Sequence, residues 1–234
     1  MRNVIRITRS LMAKLLKRIF KNQTLALSNE SKIIWIEYGH QNGGPFPIFG
    51  SDKQIVPWYT YPAIEYLLQF DLSNKSVFEW GSGGSSLFFS KRAKNVCSVE
   101  NDSKWFENIN KYKCKNLSLK LVVKEEDYAK SITVFNQKFD IIVIDAIQRF
   151  ECASIACKFL NETGMIILDN SDWYRNTAKQ LRNEGLIEID MHGLGPLNSY
   201  TWTTSFFLTK QFDFRALNDF QPFRPIGGLN QSCE

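Results

Sequence analysis

Five acidic side chains stand where a ligand-binding crevice would need them: Glu79, Glu100, Asp127, Asp145 and Asp169, the last followed by Asn170. Each falls at or just past the end of a short apolar run. One acid at a strand end is ordinary, because helices and loops need caps. Five converging on one place repel one another unless a cationic or donor-rich ligand answers them. The first acid is tied to a glycine loop, in the stretch KSVFEWGSGGSS from Lys75 to Ser86. Val77, Phe78 and Trp80 suit a buried strand. Gly81, Ser82, Gly83 and Gly84 give a turn whose backbone amides can approach a ligand, and Ser85 opens a helical segment. Glu79, two positions before the first glycine, has little use beside a phosphate and good use beside a cationic or hydroxyl-rich ligand.

Elements that could hold such residues follow from the alternation of patterns. Strands are expected at 76–80, 95–100, 117–123, 139–145 and 164–169, and helices near 85–93, 103–113, 150–160 and 173–184. Strand and helix alternating in this way imply a parallel sheet covered on both faces. LIEIDMH (186–192) and TSFFLTK (204–210) are separated only by a short glycine-proline loop. They must pair as a hairpin, so the last strand runs antiparallel to its neighbours. The expected fold is α/β, a Rossmann-like doubly wound sheet of about seven strands with an N-terminal helical extension. In such a sheet ligands bind outside the carboxyl ends of the strands, where the five acids lie.

Outside this core the chain divides into a basic amphipathic helix at 1–27, a lead-in at 28–60 and a C-terminal strap at 211–234. Within the lead-in, KIIWIEY reads as a short strand. Residues 1–29 hold seven basic side chains and no acid; removing those seven from 29 Lys and Arg leaves 22 against 24 acids. The formal charge of +5 is therefore a basic arm on a nearly neutral domain, which argues against a broad nucleic-acid surface. Apolar residues recur at helical spacing through the arm, so residues 1–21 either cover apolar surface of the protein itself or lie on an anionic membrane or a partner. Five cysteines without a C-x-x-C pair, and only two histidines, argue against structural zinc or a disulfide framework and for a reducing cytoplasm. No run of about 18 apolar residues is present for a membrane span.

FEWGSGGSS resembles the first motif of class I S-adenosylmethionine-dependent methyltransferases, with Ser85 where a third glycine often stands. Glu100, ending VCSVE, matches that family's ribose-binding acid, and Asp127 within EEDYA resembles the acid near the adenine, with Glu126 as a neighbouring rival. The antiparallel last strand is also that family's mark. PWYTYPAIEYL, SVENDSKWF, DNS and GLGPLNSYTWTTSFF more narrowly resemble an uncharacterised bacterial methyltransferase group. The likeness spans roughly 60–210 and implies a methyltransferase domain at 61–210. It also implies S-adenosyl-L-methionine held by Tyr61, Glu79, Gly81, Ser82, Gly83, Glu100, Asp127 and Asp145. Asp145 with Asp169 and Asn170 resembles the metal site of catechol-type O-methyltransferases, which implies magnesium or calcium on oxygen ligands. The alternative is that Asp145 touches the methionine part of the cofactor while Asn170 caps a helix. Arg149 or Gln148 stands where those enzymes place a lysine.

Asp145 and His192 are the candidate catalytic bases, histidine because it titrates near neutrality. Tyr59, Tyr61, Trp173, Tyr174, Tyr200 and Trp202 are candidates for aromatic walls around an acceptor or a sulfonium. IDAIQRF after the fourth strand lacks the N-P-P-Y element of DNA amino methylation. The expected activity is O-methylation of a small molecule or glycan hydroxyl, in the cytoplasm or peripheral to a membrane met through residues 1–21, with a homodimer as the candidate assembly and no nucleic-acid partner. A nicotinamide oxidoreductase and a non-catalytic module that kept the fold are the rival readings.

Overall fold

The computed structural model describes residues 14, 21–41, 46–112, 114–218 and 221–228, without the side chains of 21–26. The amphipathic stripe expected at 1–21 therefore lies almost wholly outside the described residues. The first described helix, α1 (Lys21–Lys32), runs directly into a π-helical stretch at Ile33–Glu37. KIIWIEY is thus helical, not the strand its β-branched residues suggest. A strand needs a partner edge. A helix already begun adds its bonds locally, and here Tyr38 N–H donates to the Ile33 carbonyl at 2.9 Å. After the loop comes α2 (Tyr61–Leu68), with Pro62 in its first turn, where the missing N–H has no intrahelical partner to lose.

From there strands and helices alternate: β1 (Ser76–Trp80), α3 (Gly84–Ser90), β2 (Asn95–Glu100), α4 (Ser103–Asn110), β3 (Leu117–Leu121), α5 (Glu125–Tyr128), β4 (Phe139–Ile144), α6 (Arg149–Ala156), β5 (Leu160–Leu168), α7 (Arg175–Asn183), β6 (Ile187–Gly193) and β7 (Trp202–Leu208). They form one sheet in the order β3-β2-β1-β4-β5-β7-β6. β1 to β5 pair in parallel, and β7 is antiparallel to both β5 and β6, as the short loop between β6 and β7 requires. β5 starts four residues before its expected place. The extra turn of strand follows a register shift against β4 between Phe139 and Ile141.

Side-chain alternation divides the core between the two faces. Val77, Val96, Ile141, Val143, Ile167 and Phe206 meet α2 and α3 on one side, where Leu67, Leu87 and Phe88 are buried. Phe78, Trp80, Val99, Ile142, Ile144, Leu168 and Phe207 meet Tyr128, Ala153 and Leu181 on the other. Apart from Ser76, Glu79 and Asp140, β1 and β4 are apolar on both faces because helices cover both, which is what makes a parallel strand read as a nearly continuous apolar run. The chain moves outward from β1 to β3 and returns to β4 on the opposite side of β1. Their carboxyl ends therefore open onto a crevice where the helices diverge. Phe206 is fully buried and packs its ring 5.1 Å from Tyr66. Phe206→Ala is expected to lower unfolding free energy by about 3–5 kcal/mol in chemical denaturation; a loss under 1 kcal/mol would mean that β7 is not the core strand described.

Candidate active site at the carboxyl ends of β1, β2, β4 and β5

The loop after β1 is fixed by contacts that leave little choice of residue. Gly81 has φ of 91°, and a Cβ there would lie 2.2 Å from the Asp145 carbonyl oxygen, so only glycine lets the β1 and β4 ends meet. Gly81 N–H donates to the Val99 carbonyl at 2.9 Å, and Asp145 N–H donates to that of Trp80 at 3.0 Å. Ser82 is held by Glu100: its N–H and hydroxyl both donate to Oε2, at 3.0 and 2.9 Å. Glu100 Oε1 accepts from the N–H groups of Asn101 and Asp102 at 2.8 and 2.9 Å. The other side of the loop is tied by Trp105, whose indole N–H donates to the Ser82 carbonyl at 2.6 Å. Trp105 is aimed there because Asp102 caps α4 by accepting the Trp105 N–H at 2.8 Å.

A cavity of about 570 Å³ lies over this loop, walled by Gly81–Ser85, Asp145, Phe46, Ile48, Trp58, Trp105, Leu197 and Asn198. Among these, Asp145 alone is ionisable. A second hollow of about 240 Å³ adjoins it, lined by Trp58, Asp145, Asp169, Asn170, Trp173, Asn198, Tyr200 and Trp202. Trp58, Asp145 and Asn198 belong to both. Asp145 thus stands at the opening between a space suited to a large ligand and a smaller space walled by aromatic rings. Trp58, Trp173 and Tyr200 are about half exposed, unlike the core aromatics.

Beneath the loop, Glu79 is fully buried. Its Oε2 accepts the Ser98 hydroxyl at 2.7 Å, while Oε1 has no partner among the described residues, as is also true of the buried Tyr59 hydroxyl. Glu79 therefore supports the loop from below and does not line the cavity wall. Burial pushes its carboxyl up to about 7, with the Ser86, Ser98 and Ser85 hydroxyls acting in the opposite sense. Asp169 is also raised, first by burial and then by the charge of Asp145. Its Oδ1 accepts from the Trp202 indole at 3.0 Å and from the Thr204 hydroxyl at 2.5 Å.

The expected metal ligands come together, but around a different cation. Arg149 donates to Asp145 Oδ1 at 2.9 Å and to Asn170 Oδ1 at 3.3 Å, and also to the Asp169 carbonyl oxygen. Its Nε donates to the Ala146 carbonyl at 2.9 Å. The guanidinium fills the place between the β4 and β5 ends, and the Asp169 carboxylate faces Trp202 and Thr204 instead. No group of three His, Cys, Asp or Glu side chains able to hold a metal occurs among the described residues. The residues present do not fit a divalent ion here.

Other expected site residues are dispersed. His192 bonds through Nδ1 to the Thr203 hydroxyl at 2.6 Å and lines a separate hollow with Asp172 and Asp190. It does not join Asp145. Tyr61 stacks on Tyr38 at 4.1 Å and pairs its hydroxyl with His40 Nδ1 at 3.0 Å, fastening the lead-in to α2 away from the cavity. Asp127 is exposed in α5 and lines neither space. Phe46, Ile48, Trp58, Trp105, Leu197 and Asn198 are the cavity residues not singled out from sequence. Trp105 carried a signal, being an aromatic in the first turn after the β2 acid. The others arrive on irregular loops whose course no periodicity reveals.

No protein-family model matches the chain, and comparison with curated proteins gives no match. Among solved structures, the precorrin-6y C5,15-methyltransferase of Geobacter metallireducens superposes with a TM-score of 0.51 at 11% identity, over 76% of this chain and 98% of that one. A Streptococcus mutans protein described as an S-adenosylmethionine-dependent methyltransferase gives 0.47 at 16% identity, over 61% of this chain. The spermidine synthase of Thermotoga maritima gives 0.49 at 17% identity, over 64% of this chain. The chain spans 47% and 61% of the length of these two. The fold is the class I methyltransferase fold.

The buried Glu79 sets a pH dependence. A carboxyl raised from an ordinary 4.5 to about 7 holds its proton more tightly in the fold. The stability it permits is whole below about pH 4.5 and is lost as pH rises through 7. Glu79→Gln removes this loss, so its stability relative to the native chain should grow by about 3 kcal/mol from pH 4.5 to 8. Denaturant titrations at several pH values measure it, and a difference independent of pH would show Glu79 ionised throughout.

Proposed function

We propose that the chain is an S-adenosylmethionine-dependent methyltransferase that methylates a hydroxyl of a small molecule or glycan. The observation that carries this reading is the charge of the 570 Å³ cavity: a glycine loop at the β1–β4 switch point faces a carboxylate and, among the described residues, no basic side chain. A dinucleotide would bring its pyrophosphate against Asp145 with no cation among the described wall residues to receive it. A ligand with a positively charged amino acid end and a neutral nucleoside suits the same wall.

The residues that would hold this cofactor are the Gly81–Ser85 backbone, Glu100 for the ribose hydroxyls, and Phe46, Ile48 and Trp105 for the base. Glu100 already accepts four donors, two of them from Ser82. The Ser82 hydroxyl, being freely rotatable, is the donor that a ribose hydroxyl can replace. When bound, S-adenosylmethionine supplies an electrophilic methyl group on a sulfonium. The protein's own contribution is chiefly alignment. Trp58 and Asn198, shared by both spaces, fix where an acceptor enters; Trp173 and Tyr200 offer flat apolar faces. Asp145 stands at the opening, where it can accept the proton of an acceptor hydroxyl; burial raises its carboxyl above the usual range, which suits it to hold that proton, and Arg149 acts in the opposite sense. His192, in its separate hollow, has no part in this step.

Two measurements test the proposal. S-adenosylhomocysteine should raise the melting temperature and NAD should not; the reverse pattern would establish the oxidoreductase reading. In calorimetry, Glu100→Gln should weaken S-adenosylhomocysteine binding by roughly 1.5–3 kcal/mol, the range for hydrogen bonds to a charged group. Unchanged affinity would remove Glu100 from the ribose, and binding without methyl transfer to any extract of hydroxylated acceptors would leave a non-catalytic module.

A further inference from the structure

We propose that Arg149 takes the place of a divalent cation: it is the resident positive charge that clamps the β4 and β5 ends and aims the Asp145 carboxylate at the opening between the two cavities. The guanidinium sits among four oxygens, Asp145 Oδ1, Asn170 Oδ1 and the carbonyls of Ala146 and Asp169. Such a set, all oxygen and partly charged, is what magnesium, manganese or calcium would take. Here each oxygen accepts an N–H instead. Arginine remains charged at every accessible pH and presents its donors as a fixed planar fork, so it can bind in several directions at once.

Burial and support make the arrangement a built one. The Arg149 side chain is 9% exposed, and its guanidinium carbon lies 4.2 Å from the centre of the Tyr174 ring, which covers it. Arg149 begins α6, four residues after Asp145, so the turn between them supplies the reach without a long flexible arm. Asn170 has φ of 52°, a left-handed conformation that directs the chain sharply after β5, and its side-chain oxygen accepts from the same guanidinium. One cation therefore joins the two strand ends that bound the acceptor hollow. Arg149 lines neither cavity, so its role is positioning, not contact with substrate.

Only the destination of Asp145 rests on the methyl-donor reading; the cation replacement stands or fails on metal binding alone. The test compares chelator-stripped native protein with Arg149→Ala while titrating calcium or manganese chloride and reading the melting temperature. The native protein should not respond. Arg149→Ala frees the four oxygens and should gain a saturable rise of about 3 °C at 10 mM ion, reversed by chelator, as for an ion held near 1 mM. A saturable response of native protein that Asp169→Asn or Asp145→Asn abolishes would overturn the proposal, because the site would then take metal despite Arg149. An Arg149→Ala protein that folds but ignores both ions would overturn it as well. If that variant does not fold, Arg149→Lys decides: one ammonium should restore the fold and keep the protein indifferent to metal, whereas a metal response in Arg149→Lys sinks the idea. S-adenosylhomocysteine affinity measured on the same proteins separates this outcome from failure of the methyl-donor reading.

Discussion

The site depends on β1 and β4 lying side by side with their carboxyl ends almost touching. At Gly81 no side chain fits, because the space a Cβ would take belongs to the Asp145 carbonyl. That approach brings the acid of the fourth strand against the loop of the first. It also puts the crevice where the direction of winding reverses and helices part to leave room. From this contact the rest follows in order. β2 brings Glu100 to hold Ser82, α4 brings Trp105 over the loop, and β5 brings Asp169 and Asn170 to the far side of Asp145.

Gathering carboxylates in one crevice raises an electrostatic difficulty, and the protein answers it differently at each one. Glu100 accepts four donors, three of them backbone N–H groups, so its charge is satisfied locally. Glu79 has one oxygen without a partner among the described residues and is shifted toward its protonated form. Asp145 has an arginine. Asp169, between an indole and a hydroxyl, is raised because two donors do not fully offset burial beside another acid. Which donors each acid meets is set by which groups its strand end can recruit.

The fold was largely legible in the sequence because its evidence is local and repeated. Apolar runs of strand length, glycine at the first turn, and a hairpin with no helix inside it each constrain topology alone. KIIWIEY, read as a strand, shows the limit: its residues favour a strand, but its hydrogen bonds are decided by the helix preceding it, and the short α5 (Glu125–Tyr128) was not foreseen at all. The site was legible in part. Acids at strand ends could be placed because strand ends could be placed. Phe46, Trp58 and Asn198 could not, since loops reach the cavity by tertiary packing. His192 and Tyr61 drew attention by residue type, and the structure gives them partners elsewhere.

The metal-like signature has a physical lesson of the same kind. Asp145 followed at a distance by Asp169–Asn170 specifies oxygen acceptors converging between two strand ends, and acceptors of that sort need a cation or a set of donors. The sequence pattern states the need without stating what meets it. Arg149, one helical turn beyond Asp145, meets it from within the chain, with a charge that cannot dissociate. A divalent ion would cross-link the same oxygens more tightly but would depend on supply. A guanidinium is part of the fold, and its hydrogen bonds also fix the orientation of Asp145, which a spherical ion does not. Since Asp145 is the acid shared by both cavities, holding it in one orientation defines the line along which a group could pass from one cavity to the other.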